Sequence, residues 1–169
     1  MKKVSIFFAL LIIILSLSSC SFSALEYLLT NVLVEPEDKI LKSLEEYDDY
    51  EFYSEGEFQD FTYYAKYFYS SANLAENEYF TKIQKADITN MNDHLDDFEG
   101  WIETFKEGDP QREIVVNYDF DRSIIDTEDY IYIESELLEW DNGHTSYANY
   151  NIYFFDTQTQ ILYYFHNNI

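Results

Sequence analysis

Residues 130–155 read YIYIESELLEWDNGHTSYANYNIYFF, and this stretch decides the fold. Apolar and polar residues alternate on both sides of Asn142 and Gly143, and alternation with a period of two predicts β-strands. Asn-Gly is the strongest short signal for a two-residue hairpin loop, because both positions of a type I′ turn need a positive φ. We therefore expect two antiparallel strands joined at these two residues, with paired residue numbers that add up to 285.

This register assigns each side chain of the hairpin to one of two faces. One face carries three apolar pairs: Ile133 with Ile152, Ile131 with Phe154, and Leu137 with Ala148. The other face pairs Tyr132 with Tyr153, Tyr130 with Phe155, Glu136 with Asn149, and Glu134 with Asn151. Next to the loop, Asp141 would lie beside His144 as a local charge pair. We expect the apolar face to pack in the core, because successive side chains of a strand point to opposite sides.

Two further segments show the same alternation. Residues 114–120 precede the hairpin, and ILYYFH at 161–166 follows it. Short alternating segments separated by turn residues are typical of an antiparallel sheet. The second half of the chain is therefore predicted to form four successive strands.

The turn at 156–159 leaves the register of the last strand open. A three-residue loop would place Phe154 opposite Leu162 and turn His166 towards the core. A four-residue loop would place Phe154 opposite Ile161 and turn His166 outwards. A slip of one residue moves every side chain of a strand to the other face, so the sequence assigns no role to His166.

Before Pro110 the apolar period is that of a helix. The residues that recur at spacings of three and four are Met91, Leu95, Phe98, Ile102 and Phe105. They predict a helix over 89–106, with Thr89 as N-cap and Gly108 as C-cap. Pro36, followed by two acids, predicts another helix over 37–48. Residues 58–70 fit both a helix and a strand, and we favour the helix.

Together these elements predict an α+β fold, with N-terminal helices followed by a four-stranded antiparallel β-meander packed on a helix. The length of the chain suits one globular domain, which we place at 37–169. The chain carries 17 Tyr, 14 Phe and 2 Trp, enough aromatic side chains for a large core. With one cysteine, no disulfide within the chain contributes to stability.

The first twenty residues have the layout of an export signal. Lys2 and Lys3 precede an apolar run over 6–17, which is shorter than the roughly 20 residues that a spanning helix needs. The tetrad at 17–20, Leu-Ser-Ser-Cys, resembles the lipobox of bacterial lipoproteins. That resemblance implies that 1–19 is a cleaved signal peptide, that Cys20 is lipidated, and that 20–36 is a lipid-anchored N-terminal segment.

The resemblance also implies a location. A lipidated Cys20 would hold the protein at the extracytoplasmic face of the cell membrane, since several acyl chains anchor a protein far better than one. The alternatives are an ordinary cleaved signal with a chance cysteine and an uncleaved membrane anchor. The chain has 33 acidic and 10 basic residues, a formal net charge of -23, so we expect no nucleic-acid partner. Anionic lipid headgroups would be repelled, so the domain should stand off the membrane on its lipid.

The sequence contains none of the common catalytic signatures. It has no G-x-S-x-G, and four glycines cannot supply a phosphate-binding glycine-rich loop. Asp93, His94, Asp96 and Asp97 crowd one helical region, and a second acidic run covers 119–129. Both are interpreted as solvated charged surfaces, because the spacing of neither matches a calcium loop. We predict no cofactor and no metal site.

One sheet face could hold a ligand. Tyr130, Tyr132, Tyr153 and Phe155 would form an aromatic platform for a protein, peptide or carbohydrate, unless an N-terminal helix covers it. We therefore predict a lipid-anchored extracytoplasmic binding or interaction module, not an enzyme. The alternatives are a carboxylate-based hydrolase of envelope polymers and a calcium-binding surface protein.

Overall fold

The computed structural model describes residues 39–57, 60–139 and 145–168. The chain divides into two compact units, 1–42 and 43–169. In the first unit the structure describes one short helix, α1 (Lys39–Lys42). The segment that resembles a lipobox, Cys20 included, lies outside the described residues. All other elements belong to the second unit.

The described part of the second unit forms one antiparallel sheet of six strands in the order β1-β2-β6-β5-β4-β3. The strands are β1 (Asp49–Glu57), β2 (Asp60–Phe68), β3 (Thr81–Lys82), β4 (Tyr130–Glu139), β5 (Thr145–Asp156) and β6 (Ile161–Asn168). Between β3 and β4 lie helix α2 (Lys85–Gly108), helix α3 (Glu113–Asn117) and a 3₁₀ turn (Arg122–Ile124). Within the described ranges, no helix is both long and apolar enough to cross a bilayer.

The predicted fold class is wrong, because the sheet has six strands and not four, and the region expected to form N-terminal helices contributes strands to it. Of the helix expected over 37–48, the structure describes only α1 as helical, and the segment expected as helix over 58–70 contains strand β2. Residues 64–67 are buried one after another, because β2 lies between β1 and β6 and both of its faces are covered. A strand buried on both faces reads as a continuous apolar run, which satisfies a helical period as well as a strand period.

The first of the four predicted strands is also wrong. Residues 114–120 contain helix α3, in which Ile114 is fully buried whereas Val116 is 61% exposed. Because Ile114 faces the core and Val116 faces solvent, the alternating apolar residues of this segment do not lie on one buried side of a strand. Isoleucine and valine favour strands only where a neighbouring strand and a packed face are present, and α3 instead packs beside α2 and β1.

The main helix is confirmed and is longer than predicted. The four inner residues of the apolar stripe, Met91, Leu95, Phe98 and Ile102, are buried, and Phe105 is half-buried. The helix begins one turn before the expected cap at Thr89. Gln84 is the N-cap instead, and its backbone N–H donates to Asp87 Oδ2 at 2.8 Å. Gly108 is the last helical residue, and Asp109 is the C-cap.

The hairpin register is confirmed for six pairs, from Tyr130 with Phe155 to Glu136 with Asn149. The seventh is wrong: Leu137 pairs with Tyr147 and not with Ala148, because the register shifts after Glu136. A β-bulge of this kind adds one residue to a strand and leaves no clear mark in the apolar pattern. The Asn142-Gly143 turn and the pair of Asp141 with His144 lie outside the described residues.

For the last strand, the four-residue loop and the outward direction of His166 agree with the second alternative, but the pairing of Phe154 with Ile161 is wrong. Phe154 pairs with Tyr163, and Asp156 pairs with Ile161 across the four residues 157–160. Gln160 closes this turn with φ +58°, and its N–H donates to Asp156 O at 2.9 Å. His166 consequently lies on the sheet face that points away from α2.

The sheet therefore has two covered faces. The helix face packs on α2, with the Phe98 and Phe165 rings 5.4 Å apart at their centroids. The second face carries Tyr153, Phe155 and Tyr164 in its centre, and all three are buried. Both faces contribute to the core, which explains why so many aromatic residues fit into one sheet.

Candidate ligand pocket

A cavity of about 170 Å³ opens on the helix face, where the sheet ends beside α2. Its lining comes from the β1–β2 hairpin, the C-terminal half of α2 and the end of β6: Gly56, Asp60, Phe61, Thr62, Trp101, Phe105, Asn167 and Asn168. An engineered protein cavity of roughly 150 Å³ accepts benzene. This cavity therefore has room for one six-membered ring.

The hairpin that forms one side of the cavity depends on a glycine. Gly56 has φ +137°, a conformation that side chains with a Cβ rarely adopt. A Cβ built on it would lie 2.0 Å from the backbone oxygen of Asp60. Gly56 pairs with Phe61, so this close approach places Asp60 and Phe61 at the rim of the cavity.

Two aromatic side chains form the opposite wall. Trp101 and Phe105 are four residues apart on α2 and thus project from the same side of the helix. Their ring centroids are 6.1 Å apart, and both are half-buried. Arg112 lies 5.5 Å from the centroid of Phe105 and forms an ion pair with Glu55 at 2.6 Å. Arg112 thus covers one side of the Phe105 ring and links α2 to strand β1.

The polar floor consists of Thr62 and Asn167, which pair directly across β2 and β6. They are 3% and 1% exposed, and Thr62 Oγ1 donates to Asn167 Oδ1 at 2.8 Å. Asn167 Nδ2 is enclosed by protein atoms and forms no hydrogen bond of regular geometry with a described residue.

Asp97 lies behind this amide. Its Oδ2 accepts a hydrogen bond from Tyr150 OH at 3.0 Å. Burial raises the pKa of the Asp97 carboxyl, and Tyr150, His94 and Asn167 lower it in part. The side chain of Asn167 thus interacts with this carboxylate as a loose hydrogen-bond donor through Nδ2. The opposite orientation of the amide would turn its oxygen towards the carboxylate, which is unfavourable.

The imidazole of His94, on the N-terminal half of α2, has one unpaired nitrogen. His94 is 1% exposed, and its Nδ1 donates to the backbone oxygen of Asn90 at 2.8 Å. Its Nε2 is buried, and no described residue forms a hydrogen bond with it. The imidazole stacks on Tyr147 with ring centroids 3.9 Å apart and meets Tyr150 edge-on. The helix face therefore holds two incompletely paired polar side chains, one on each side of Asp97 and Tyr150.

The four residues of the predicted aromatic platform all lie on the second face. Tyr153 is 2% exposed, Phe155 is fully buried, and Tyr130 and Tyr132 are half-buried. The segment after β2 covers this face, with contacts of Tyr69 to Phe155, Tyr79 to Tyr132 and Phe80 to Tyr153. This burial favours a packing role for Tyr153 and Phe155.

The acidic residues highlighted by the sequence are distributed among protein partners. Asp96 pairs with Arg122, and Asp119 pairs with Lys66. Asp129 is buried and accepts hydrogen bonds from the backbone of Asp126 and Thr157. In the part of the chain that the structure describes, no three His, Cys, Asp or Glu side chains are grouped so that they could hold a metal ion.

Sequence reasoning did not identify the pocket residues. Trp101 and Phe105 carry a weak signal, because Phe105 ends the apolar stripe of the helix and Trp101 lies one turn before it. Thr62 and Asn167 carry none, since they are 105 residues apart and meet only through the β2–β6 pairing. Comparison with known proteins finds no matching family model, curated protein or solved structure.

Proposed function

We propose that this protein is a lipid-anchored extracytoplasmic binding module that holds a small ligand in the pocket between α2 and the β1–β2 hairpin. The lipobox-like tetrad ending at Cys20 supports the location. The half-buried rings of Trp101 and Phe105 on the wall of the cavity are the observation that carries the ligand site. Pockets for small ligands are lined mainly by hydrophobic and aromatic side chains, together with a few polar groups.

The lining of the pocket supports binding more than hydrolysis. Glycoside hydrolysis uses two carboxyl groups that face each other across the scissile bond. Among the described lining residues, Asp60 is the one carboxylate. Aromatic walls with a few oriented polar groups are instead typical of pockets that bind and release a ligand.

A fragment screen tests the ligand site. The chain has two tryptophans, so a Trp140→Phe variant leaves Trp101 as the sole indole reporter. We expect ring-sized fragments to change Trp101 emission in the full chain, and a Phe105→Leu variant to weaken the response at least fivefold. Val116→Ala, on an exposed side of α3, is the matched control. If no fragment changes the emission, the pocket is not a ligand site.

Intact mass tests the anchor separately. Membrane-extracted protein should begin at Cys20 and carry added acyl mass, and a Cys20→Ser variant should lack that mass. An uncleaved or unmodified chain would contradict the proposed location and leave the ligand screen as an independent result.

A further inference from the structure

We infer that the edge of strand β4 from Ile133 to Leu137 is a docking site for a basic, extended segment of a partner protein, which adds a strand to the sheet. This site is separate from the pocket, because β4 lies near one end of the strand order, whereas β1 and β2 lie at the other. Three features of this edge, none of which contributes to the proposed function, support the inference: its open backbone, its carboxylates and its apolar side chains.

Strand β3 covers only the beginning of β4. Its two residues pair with Tyr130 and Ile131, although β4 is ten residues long. The chain before β3 turns away at once, because Asn77 Oδ1 accepts hydrogen bonds from the N–H groups of Tyr79 and Phe80 at 2.9 and 3.3 Å. The rings of Tyr79 and Phe80 pack on the second face instead. Beyond Ile131, β4 is therefore the edge strand of the described sheet.

The backbone groups that point out of this edge follow from the hydrogen bonds beside β3. Ile83 N–H donates to Asp129 O at 2.9 Å, so the backbone of Asp129 points towards β3. Successive residues of a strand point alternately to its two sides, which directs the N–H and C=O groups of Ile133 and Ser135 to the open side. Among the described residues, none forms a backbone hydrogen bond with these groups. Such a row of open backbone groups is a template for another strand.

Two glutamates give the edge its charge. Glu134 and Glu136 pair with Asn151 and Asn149 of β5, and thus lie on the second face. Both are exposed, and neither forms an ion pair with a described residue. Residues directly opposite each other on neighbouring strands have Cβ atoms about 5 Å apart. The two carboxylates therefore match lysine or arginine at alternate positions of an added strand.

Apolar side chains lie on the other face of the same edge. Ile133 is half-buried there, and Leu137 is 59% exposed. They share the helix face with Ser135, because the side chains of a strand alternate between its faces. An added strand that carries apolar residues between its cations covers both of them. Peptides that extend a sheet in this way gain affinity from the backbone and specificity from alternate side chains.

A second copy of this chain fits the edge poorly. If two β4 strands paired antiparallel about Ser135, Glu134 of one copy would face Glu136 of the other, and like charges directly opposite each other are destabilising. The field of a chain with formal net charge -23 adds to this repulsion and attracts cations. A basic segment of another protein is therefore the occupant that this edge selects.

Two synthetic peptides of opposite charge test the docking site. The basic peptide, Thr-Val-Lys-Val-Lys-Val-Thr, and its counterpart with glutamate in place of lysine are titrated into the full chain, and the fluorescence polarisation of a dye on the peptide is recorded. We expect the basic peptide to bind about tenfold more tightly at low salt, and less so as salt screens the charges. Hydrogen exchange should show that the bound basic peptide slows exchange of the Ile133 and Ser135 amides.

Variants connect this binding to the edge. Reversing both charges, with Glu134→Lys and Glu136→Lys together, should reverse the preference, so that the acidic peptide binds more tightly. The matched control is Glu45→Lys with Glu46→Lys, which changes the net charge equally at exposed positions outside β4 and should keep the preference of the parent. Ser135→Pro removes an N–H that points out of the sheet and no hydrogen bond to β5, so it should abolish binding of the basic peptide.

Three outcomes would overturn the inference. Equal affinity of the two peptides would remove the charge selectivity, and slowed exchange confined to other residues would place the peptide elsewhere. Slow exchange of the Ile133 and Ser135 amides in the free chain would mean that the edge is already occupied, by a second copy if the protection depends on protein concentration and by another segment of this chain if it does not. Each of these results leaves the pocket standing, because Trp101 emission tests it separately.

Discussion

Two buried polar clusters lie on the helix face of β2, four residues apart, and they differ in how completely they are paired. Around Lys66, Glu51 and Asp119 lie 2.7 and 2.8 Å from the ammonium group, and Tyr64 OH donates to Asp119 at 2.7 Å. Around Thr62, by contrast, Asn167 Nδ2 forms no hydrogen bond of regular geometry and interacts only loosely with Asp97. The first cluster therefore contains closely paired ions, and the second contains a loosely paired donor.

This difference predicts different responses to substitution. A buried ion is tolerated only when it is paired, and the Lys66 cluster meets that requirement with protein groups alone. The Asn167 cluster holds an uncharged amide whose Nδ2 is enclosed by protein and interacts only loosely with Asp97. A loosely paired buried donor contributes less to stability than a well-paired one. We therefore expect the first cluster to be the more sensitive of the two.

The largest expected effect is a loss of stability on acidification, and it comes from outside both clusters. Burial on the second face lowers the pKa of His166 to about 4 from an ordinary value of 6.5, with the backbone of Tyr150 opposing in part. Between pH 6.5 and 4 the unfolded chain binds a proton that the native chain does not, so stability falls as pH falls through this window. The shift corresponds to about 3 kcal/mol. Urea unfolding of the parent from pH 7 to 4 should show this loss, and His166→Gln should remove most of it; an unchanged slope in the variant would contradict the assignment.

Removing the cation of the fully paired cluster should have the next largest effect. Lys66→Met leaves the carboxylates of Glu51 and Asp119 without their common partner. Breaking a buried ion pair costs about 3 to 5 kcal/mol, and since the Glu51 and Asp119 side chains are 41% and 61% exposed we expect about 2 kcal/mol.

The matched control for this variant is Lys82→Met. Lys82 pairs with Glu128 at 2.7 Å, but its side chain is 51% exposed. The urea midpoint of this control should stay at the parent value. Equal losses in the two lysine variants would mean that burial of Lys66 has no energetic consequence, and the contrast between the clusters would then lose its basis.

The unpaired cluster should respond in a different way. Thr62→Val removes the hydroxyl that donates to Asn167 Oδ1 and leaves this buried acceptor unpaired, so we expect a loss of about 1 to 2 kcal/mol. Adding Asn167→Leu replaces the amide by an apolar group of similar size, and the double variant should return to within about 1 kcal/mol of the parent. Urea unfolding measures both. A double variant less stable than Thr62→Val alone would show that the amide supports the fold.

The smallest expected effect is an opposite change in the acid stability of two variants, Asp97→Asn and Asp119→Asn. For Asp97, burial raises the pKa above its ordinary 3.8, so the native state binds a proton first and gains stability as pH falls through the raised pKa. For Asp119, burial opposes, but Lys66 and Tyr64 lower the pKa overall, so stability is lost as pH falls below 3.8. Relative to the parent, Asp97→Asn should lose stability faster on acidification and Asp119→Asn more slowly. Unfolding curves from pH 6 to 3 would contradict the assignment if the two variants shifted in the same direction.

The success of sequence reasoning varied with the kind of contact involved. Helix α2 and the β4–β5 register were predictable, because a helical stripe and a hairpin with Asn-Gly are set by neighbours close in sequence. Strand β2 was not, because burial on both faces removes the alternation that identifies a strand. The bulge after Glu136 and the register of β6 were also missed, since a change of one residue in register has almost no compositional signature.

The sequence by itself determined the acidic character, the aromatic core, the long helix and most of one hairpin. These depend on composition and on periodicity over a few turns or one loop, which local physics controls. Only the tertiary structure decided that β1 and β2 join the sheet, that the aromatic face is covered, and that Thr62, Trp101 and Asn167 surround one cavity. Those features arise from the pairing of β2 with β6, across about a hundred residues of chain, and no local pattern encodes a partner at that distance.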